Sequence, residues 1–285
     1  MTTAHCPTSV AAALEAMAEP GAVAVAGCTD LMVPGSPHDR QRRAIVDLSR
    51  VSELSGIEVV DGMLDMGAGE TFANLRRHPD VQQHAPALAE VAATVGALQI
   101  QARATLGGNI ANASPAGDSL PVLLVLDAEL LVAGPTGERT IPYAAMHTGY
   151  RRTALHPGEL IVRVRVPLPG EGVVQRFRKV GTREAQAISK VVLAFAARLD
   201  DGHLRDVRFA AGSVAGTPVR LIATEAACEG AALGAALAED AGRIAAGEVR
   251  PIDDIRSTAQ YRRFVLSRCV RRMLLELDGQ PAGSP

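Results

Sequence analysis

Residues 105–121 constrain what this chain can fold into and bind more than any other segment. Two adjacent glycines, Gly107 and Gly108, permit positive φ angles and leave no Cβ between the main chain and a ligand. The next residue, Asn109, tolerates left-handed backbone and carries an amide donor. The segment therefore predicts exposed backbone N–H groups, which bind anions such as phosphate when they lie near a helix start. The alternative interpretation is a glycine-rich hairpin without a ligand.

The second half of this segment predicts a turn followed by a helix. Ser114 precedes a proline, and an alanine–glycine pair follows, which are turn signals. Asp118 or Ser119 could cap the next helix, with Pro121 in its first turn. Asp118 is thus either a helix cap or an acceptor in a ligand-facing loop.

A second glycine segment lies upstream. Residues 22–26 form a short apolar run typical of a buried strand, and Gly27, Cys28, Thr29 and Asp30 follow it directly. Gly27 has a simpler explanation in close helix–strand packing. Two phosphate-binding segments in one chain fit a ligand with two phosphates, or one pyrophosphate held from both sides.

The two segments resemble those of the FAD-binding medium subunits of molybdenum hydroxylases, of the xanthine dehydrogenase and carbon monoxide dehydrogenase type. The resemblance rests on residues 26–31 and 105–110 and continues at 150–155 and 177–191. These matches follow the order of the family and cover nearly the whole chain. The family usually has two glycines in the first segment, where this chain has one glycine and then Cys28. The Cβ of Cys28 is expected to tighten or shift that loop.

The resemblance implies an FAD site in this chain. The residues that it assigns to FAD binding are Ala26, Gly27, Cys28, Thr29, Asp30, Leu31, Thr105, Gly107, Gly108, Asn109, Ile110, Ser114, Asp118, Ile161 and Lys179. It implies that Asp118 bonds hydroxyls of the ribityl or ribose part, that Lys179 reaches the isoalloxazine ring, and that Ile161 packs against that ring. A cation near the N1/C2=O edge stabilises the anionic reduced flavin and raises its potential. Without the resemblance, Lys179 would be a solvated lysine and Ile161 an ordinary core residue.

The fold that the resemblance implies is α+β. It consists of a two-lobed FAD-binding domain of the PCMH or vanillyl-alcohol-oxidase type, followed by a C-terminal α+β domain. The sequence divides accordingly into lobes at 1–54 and 55–170 and a domain at 173–285, with a proline- and glycine-rich boundary before the last.

Local patterns place the elements along these units. Strands are expected at 22–26, 44–48, 129–133 and 159–166. Hairpins are expected around Asp61–Gly62 and at 200–203. Helices are expected at 8–18, 72–77, 86–95 and 120–127.

A helix at 261–277 carries an apolar stripe that is expected to be buried, made of Tyr261, Val265, Cys269, Met273 and Leu277. Its arginines are either solvated or at a partner contact, since arginine is enriched at interfaces. The arginines considered for such a contact are Arg262, Arg268 and Arg272.

Composition argues against several classes of function. A net charge of −2 gives no global attraction to nucleic acid or an anionic membrane, and 3% aromatic residues leave few platforms for bases. No segment has the pattern of a membrane span or a signal peptide, so a cytoplasmic protein with reduced thiols is expected. The four cysteines lack iron–sulfur or zinc spacing and the seven histidines, His38 among them, lack a paired motif, so no metal site is predicted.

No Ser/His/Asp or Cys/His nucleophile set is evident, so no catalytic residue is predicted and FAD would supply the chemistry. The resemblance implies a multi-subunit enzyme. A large molybdopterin subunit hydroxylates the substrate, a small subunit with two [2Fe–2S] clusters relays electrons, and this chain passes them to NAD⁺, oxygen or another acceptor. The alternatives are a stand-alone flavin oxidase or reductase and a flavin-free structural or nucleotide-binding subunit. The sequence names neither the substrate nor the final acceptor.

Overall fold

The computed structural model describes residues 3–33 and 44–279. Within these residues the strands are β1 (Thr3–His5), β2 (Ala22–Val25), β3 (Ala44–Asp47), β4 (Ile57–Val60), β5 (Met63–Gly67), β6 (Glu129–Gly134), β7 (Gly137–Pro142), β8 (His147–Gly149), β9 (Arg152–Thr153), β10 (Leu160–Pro167), β11 (Val173–Val180), β12 (Val191–Asp200), β13 (His203–Gly212) and β14 (Val219–Arg220). The helices are α1 (Val10–Met17), α2 (Phe72–Arg77), α3 (Pro79–His84), α4 (Pro86–Ala92), α5 (Leu98–Gln101), α6 (Leu106–Asn112), α7 (Leu120–Val125), α8 (Ile222–Cys228), α9 (Ala235–Glu248) and α10 (Ala259–Leu277).

The N-terminal sheet is small and parallel, in the order β1-β3-β2. Helix α1 connects β1 to β2, and it begins after Ser9, whose hydroxyl accepts the Ala12 N–H at 3.2 Å. The predicted first helix and the strands at 22–26 and 44–48 are confirmed to within two residues, whereas β1 was not predicted. His38 lies outside the described residues.

The second sheet is antiparallel, in the order β4-β5-β10-β6-β7. Its central strand, β10, is buried on both faces: Leu160 and Val162 pack against the N-terminal sheet, whereas Ile161 and Val164 join the core beneath α2, α4 and α7. A bulge between Ile161 and Arg163 accommodates this change of face. The hairpin around Asp61–Gly62 and the strand at 129–133 are confirmed.

The third sheet, β11-β12-β13-β14, is antiparallel and is covered by α8, α9 and α10. Its core centres on Phe195 and Phe209, whose rings lie 4.6 Å apart. The hairpin at 200–203 is confirmed. Each sheet lies within one of the three expected units, and helix α7 packs on β12 and β13, so the second and third units share an interface.

Helices α3 and α10 also differ from the sequence prediction. Helix α3 was not predicted. In α10 the buried stripe is rotated by about one residue from the predicted one, so that Tyr261 is partly exposed and Arg262 is buried. The Arg262 guanidinium donates to the carbonyls of Lys190 and Ser213 and pairs with Asp254 at 2.9 Å. It therefore has a structural role, and the prediction of a partner contact at Arg262 is wrong.

Candidate functional site

Two segments meet at the walls of one cleft of about 360 Å³. The first glycine segment comprises residues 26–31 and the second comprises residues 105–112. They can approach each other because Gly27 lies against the main chain of Arg103, where any Cβ would overlap the carbonyl oxygen. This is a close-packing role for Gly27, and it brings the two segments together as a site for a pyrophosphate would require.

The first glycine segment offers backbone donors. Cys28 has a φ of 62°, a left-handed conformation that a residue with a side chain rarely adopts. Its carbonyl accepts the Met32 N–H at 3.1 Å, which closes a single turn beyond β2. Within the described residues, no hydrogen bond uses the N–H groups of Cys28, Thr29 or Asp30. Successive free N–H groups around a left-handed residue form a concave site for anions.

The second glycine segment is a helix start and not an open loop or a hairpin. Thr105 caps α6 by accepting the Gly108 N–H at 3.2 Å, and the Gly107 N–H donates to the Ala68 carbonyl at 2.8 Å. The Asn109 N–H donates to the Thr105 carbonyl at 3.0 Å. The expectation of exposed N–H groups at Gly107, Gly108 and Asn109 is therefore wrong. Neither glycine has a positive φ.

The two adjacent glycines of α6 face different surroundings. A Cβ on Gly107 would lie 2.7 Å from the Ala68 Cβ and 2.8 Å from its carbonyl oxygen, so Gly107 allows the helix to pack closely. A Cβ on Gly108 would meet only the Thr105 hydroxyl, at 2.7 Å, and Gly108 lines the cleft. Gly107 therefore serves the fold, whereas Gly108 keeps the cleft wall free of side chain.

Asp118 and Lys179 form a buried ion pair at 2.5 Å, with side chains only 10% and 8% exposed. The ammonium also donates to the Thr94 carbonyl at 2.9 Å. Ser119, not Asp118, occupies the cap position of α7, so the helix-cap explanation of Asp118 is wrong, and so is the solvated-lysine explanation of Lys179. Burial raises the pKa of Asp118, and the charge of Lys179 opposes that rise.

One oxygen of Asp118, Oδ1, is buried and has no hydrogen-bond partner within the described chain. A buried carboxylate oxygen without a partner is costly, so such an atom indicates a missing donor. A hydroxyl-bearing ligand would supply that donor. The free N–H groups of the first glycine segment suit a ligand that carries phosphate, whereas Asp118 Oδ1 is an unused acceptor outside the cleft lining.

The structure brings together nine of the predicted site residues around the cleft: Ala26, Gly27, Cys28, Thr29, Asp30, Leu31, Thr105, Gly108 and Asn109. It does not bring the other six to the cleft lining, namely Gly107, Ile110, Ser114, Asp118, Ile161 and Lys179. Ile110 and Ile161 are buried in the core, and the Ser114 hydroxyl accepts the Ala116 N–H at 3.3 Å.

Eight lining residues were not among the predicted site residues: Val23, Ala24, Val25, Val95, Ile100, Ala104, Ala111 and Asn112. Asn112 could have been found, because Thr105, Gly108, Asn109 and Asn112 have the i, i+3, i+4, i+7 spacing of one helix face. Interpreting the segment as a loop concealed that spacing. Val95 and Ile100 come from the α4–α5 connection and α5, and no local signal distinguishes them from core residues.

The described residues, 3–33 and 44–279, contain no group of three His, Cys, Asp or Glu side chains that could hold a metal ion. In the same ranges, no helix has the length and apolar character needed to cross a membrane.

Two family models match the chain. Residues 1–169 match the FAD binding domain in molybdopterin dehydrogenase, and residues 176–277 match the CO dehydrogenase flavoprotein C-terminal domain. The expected α+β fold, an FAD-binding domain followed by a C-terminal domain, is confirmed.

Similar proteins match over nearly the full length. The putative xanthine dehydrogenase FAD-binding subunit of Escherichia coli K12 is 32% identical over 282 residues, which are 98% of this chain and 97% of that protein. The carbon monoxide dehydrogenase medium chain of Hydrogenophaga pseudoflava is 28% identical, covering 95% and 94%. The structure of quinoline 2-oxidoreductase from Pseudomonas putida 86 superposes with a TM-score of 0.91 at 26% identity, covering 97% of this chain and 96% of that one.

Proposed function

The chain belongs to the FAD-binding subunits of molybdenum hydroxylases of the xanthine dehydrogenase and carbon monoxide dehydrogenase type, and from that membership we propose that it is the electron outlet of such an enzyme. It takes electrons from the [2Fe–2S] clusters of a partner subunit and delivers them to NAD⁺, oxygen or another acceptor. FAD, when bound, supplies the ability to accept two electrons and to pass them on.

The observation that carries this proposal is the cleft between the two glycine segments. The N–H groups of Cys28, Thr29 and Asp30 would hold the pyrophosphate from one wall, because they surround a left-handed residue in the cleft lining. The side of α6 that carries Gly108 and Asn109 forms the other wall and lets the ligand approach the helix closely.

Asp118 and Lys179 orient the flavin end. The free Oδ1 of Asp118 would accept a ribityl or ribose hydroxyl, while its Oδ2 holds Lys179 in place. With FAD bound, the ammonium group of Lys179 would stabilise the anionic reduced ring, and Ile161 would pack against that ring. Because Lys179 belongs to β11 and Asp118 to the FAD-binding domain, this pair also joins the two domains.

We propose that the chain works with an iron–sulfur small subunit and a molybdopterin large subunit. Several relatives are named as medium chains or medium subunits, which supports an assembly of several chains. The exposed arginines of α10, Arg268 and Arg272, remain candidates for a contact with a partner. No nucleic acid or membrane takes part in this function. The division at 1–54, 55–170 and 173–285 is proposed as the domain organisation, and a cytoplasmic location agrees with four unpaired cysteines.

The cofactor is tested by heating the freshly purified chain and separating the released flavin by HPLC. FAD is expected, because two walls around a pyrophosphate have no purpose for FMN, which lacks one. Recovery of FMN alone, or a colourless protein that does not take up FAD, would instead favour a different flavoprotein or a flavin-free subunit.

The electron route is tested with the complex isolated from its native host, followed by metal and pterin analysis. We expect iron–sulfur and molybdopterin subunits to co-purify, and the isolated FAD-loaded chain to leave purines, aldehydes and related heterocycles unoxidised. Turnover by the chain alone, or a pull-down that returns only itself, would establish a stand-alone flavin oxidase or reductase.

A further inference from the structure

Arg151 occupies a strained position beside the cleft. It lies in the turn between β8 and β9 with a φ of 51°, a conformation that costs a non-glycine residue about 1 kcal/mol or more. Such a conformation persists only where surrounding contacts hold it, and these positions cluster at ligand sites. Contacts of the Arg151 side chain must therefore hold this turn in place.

The guanidinium of Arg151 reaches both walls of the cleft. Its Nη1 donates to Asn112 Oδ1 at 3.0 Å, and it lies 3.9 Å from Asp30 Oδ2. Asp30 belongs to the first glycine segment, whereas Asn112 ends helix α6, and both line the cleft. Arg151 itself lies outside that lining, with its side chain 30% exposed.

Asp30 places a negative charge in a cleft that is to hold a pyrophosphate. A carboxylate and a pyrophosphate in the same cleft repel each other, so Asp30 would weaken binding unless a cation lies beside it. Arg151 is that cation. It also joins Asp30 to Asn112, and so fixes the spacing between the free N–H groups of the first segment and the helix face of the second.

We propose that Arg151 is a positioning residue for the pyrophosphate of FAD: it ties the two cleft walls together and neutralises Asp30, without itself contacting the cofactor. The proposal rests on the FAD site proposed above. The family resemblance includes residues 150–155 but assigned Arg151 no role, because that role depends on two partners far away in the sequence.

The test measures FAD binding to the FAD-free full-length chain by fluorescence quenching. Arg151→Met should raise the dissociation constant about ten-fold, the effect expected for one charge-assisted hydrogen bond. Arg151→Lys, which keeps the charge, should recover part of the affinity. Arg152→Met, which removes the neighbouring exposed arginine, should bind as the wild type does.

Two further variants separate positioning from simple structural support. Arg151→Gly relieves the backbone strain and removes the guanidinium, so it should bind FAD as weakly as Arg151→Met while its FAD-free form melts no lower than the wild type. In an Asp30→Asn background, Arg151→Met should weaken FAD binding by less than about three-fold, because the Asp30 carboxylate that Arg151 neutralises is gone.

Wild-type FAD affinity in Arg151→Met or Arg151→Gly overturns the proposal. So does a ten-fold loss of FAD affinity that is the same with Asp30 and with Asp30→Asn. An equal loss of FAD affinity in Arg152→Met overturns it as well. If the wild-type chain itself takes up no FAD, the proposed function fails together with this inference. A wild-type chain that binds FAD and an Arg151 variant that binds equally well remove the inference alone.

Discussion

The first and second glycine segments meet across one cleft, yet their backbone N–H groups have different partners. In the first, the N–H groups of Cys28, Thr29 and Asp30 have no acceptor within the described chain. In the second, the N–H groups of Gly107, Gly108 and Asn109 are all engaged within the protein. The two glycine segments therefore have different roles, which the sequence alone does not distinguish. The first segment presents free N–H donors. In the second, glycine lets helix α6 pack closely and leaves the cleft wall without a side chain.

The largest effects are expected from valine at the two adjacent glycines of α6. Gly107→Val should destabilise the FAD-free chain by about 3 kcal/mol, because its Cβ would press on the backbone of Ala68. Gly108→Val should leave the chain folded and weaken FAD binding about 100-fold, since the new side chain fills the cleft wall. Urea unfolding and FAD titration of both variants measure the two effects.

Each valine variant serves as the control for the other. Wild-type flavin occupancy in Gly108→Val would show that α6 does not form a wall of the site. Unchanged stability in Gly107→Val would contradict the division between a packing glycine and a site glycine.

The next largest effect is expected at the ion pair of Asp118 and Lys179, which lies outside both glycine segments. Lys179→Met should make the flavin midpoint potential more negative by about 30 mV, as expected if about 1.4 kcal/mol of stabilisation of the reduced anion is lost. Potentiometric titration of the FAD-loaded chain gives the shift. The double variant Asp118→Asn/Lys179→Met is the control, because it removes the cation without leaving a buried unpaired carboxylate.

The double variant should shift the potential less than Lys179→Met does, since no net charge is added beside the ring. Equal flavin midpoint potentials in the wild type and Lys179→Met would show that Lys179 does not act on the ring and only joins the two domains.

The sequence predicted the elements of the fold well where a pattern was local. The hairpins at Asp61–Gly62 and 200–203 carry their turn signals within a few residues. It predicted the two cleft walls because each contains a glycine after a strand or before a helix. It misjudged the second wall, since Gly107–Gly108 is typical of a loop, whereas the contact with Ala68 that makes a glycine helix favourable is formed only in the tertiary structure.

Arg262 illustrates the same limit at the other end of the chain. A surface arginine stripe and a buried arginine have the same helical spacing in the sequence. The acceptors that keep Arg262 in the core, the carbonyls of Lys190 and Ser213 and the carboxylate of Asp254, come from three different loops or strands.

Low pH is expected to lower the stability of the second lobe, residues 55–170, without changing either glycine segment. Hydrogen bonding from Arg139 lowers the pKa of Glu159 from 4.5 to about 2. Because the pKa is lower in the folded state, the stability that this carboxylate contributes is present above pH 4.5 and is lost as the pH falls towards 2. Glu159→Gln should therefore be less stable at pH 6, and the difference from wild type should narrow below pH 4.

Urea unfolding from pH 2.5 to 6 measures this difference. FAD affinity at pH 7 should be the same in Glu159→Gln and the wild type, since Glu159 is not among the cleft-lining residues. A stability difference that does not change with pH would contradict the lowered pKa.

The smallest effect, and a gain, is expected at Cys28. Its φ of 62° suits glycine, so Cys28→Gly should relieve strain and stabilise the chain by up to about 1 kcal/mol. The N–H groups of residues 28–30 would keep their arrangement, and FAD affinity should therefore stay within about three-fold of wild type. Cys28→Val, which cannot adopt this φ without a larger penalty, should lose both stability and FAD. If Cys28→Val binds FAD as the wild type does, the left-handed turn is not what presents the donors, and the contrast between the two glycine segments fails at its first member.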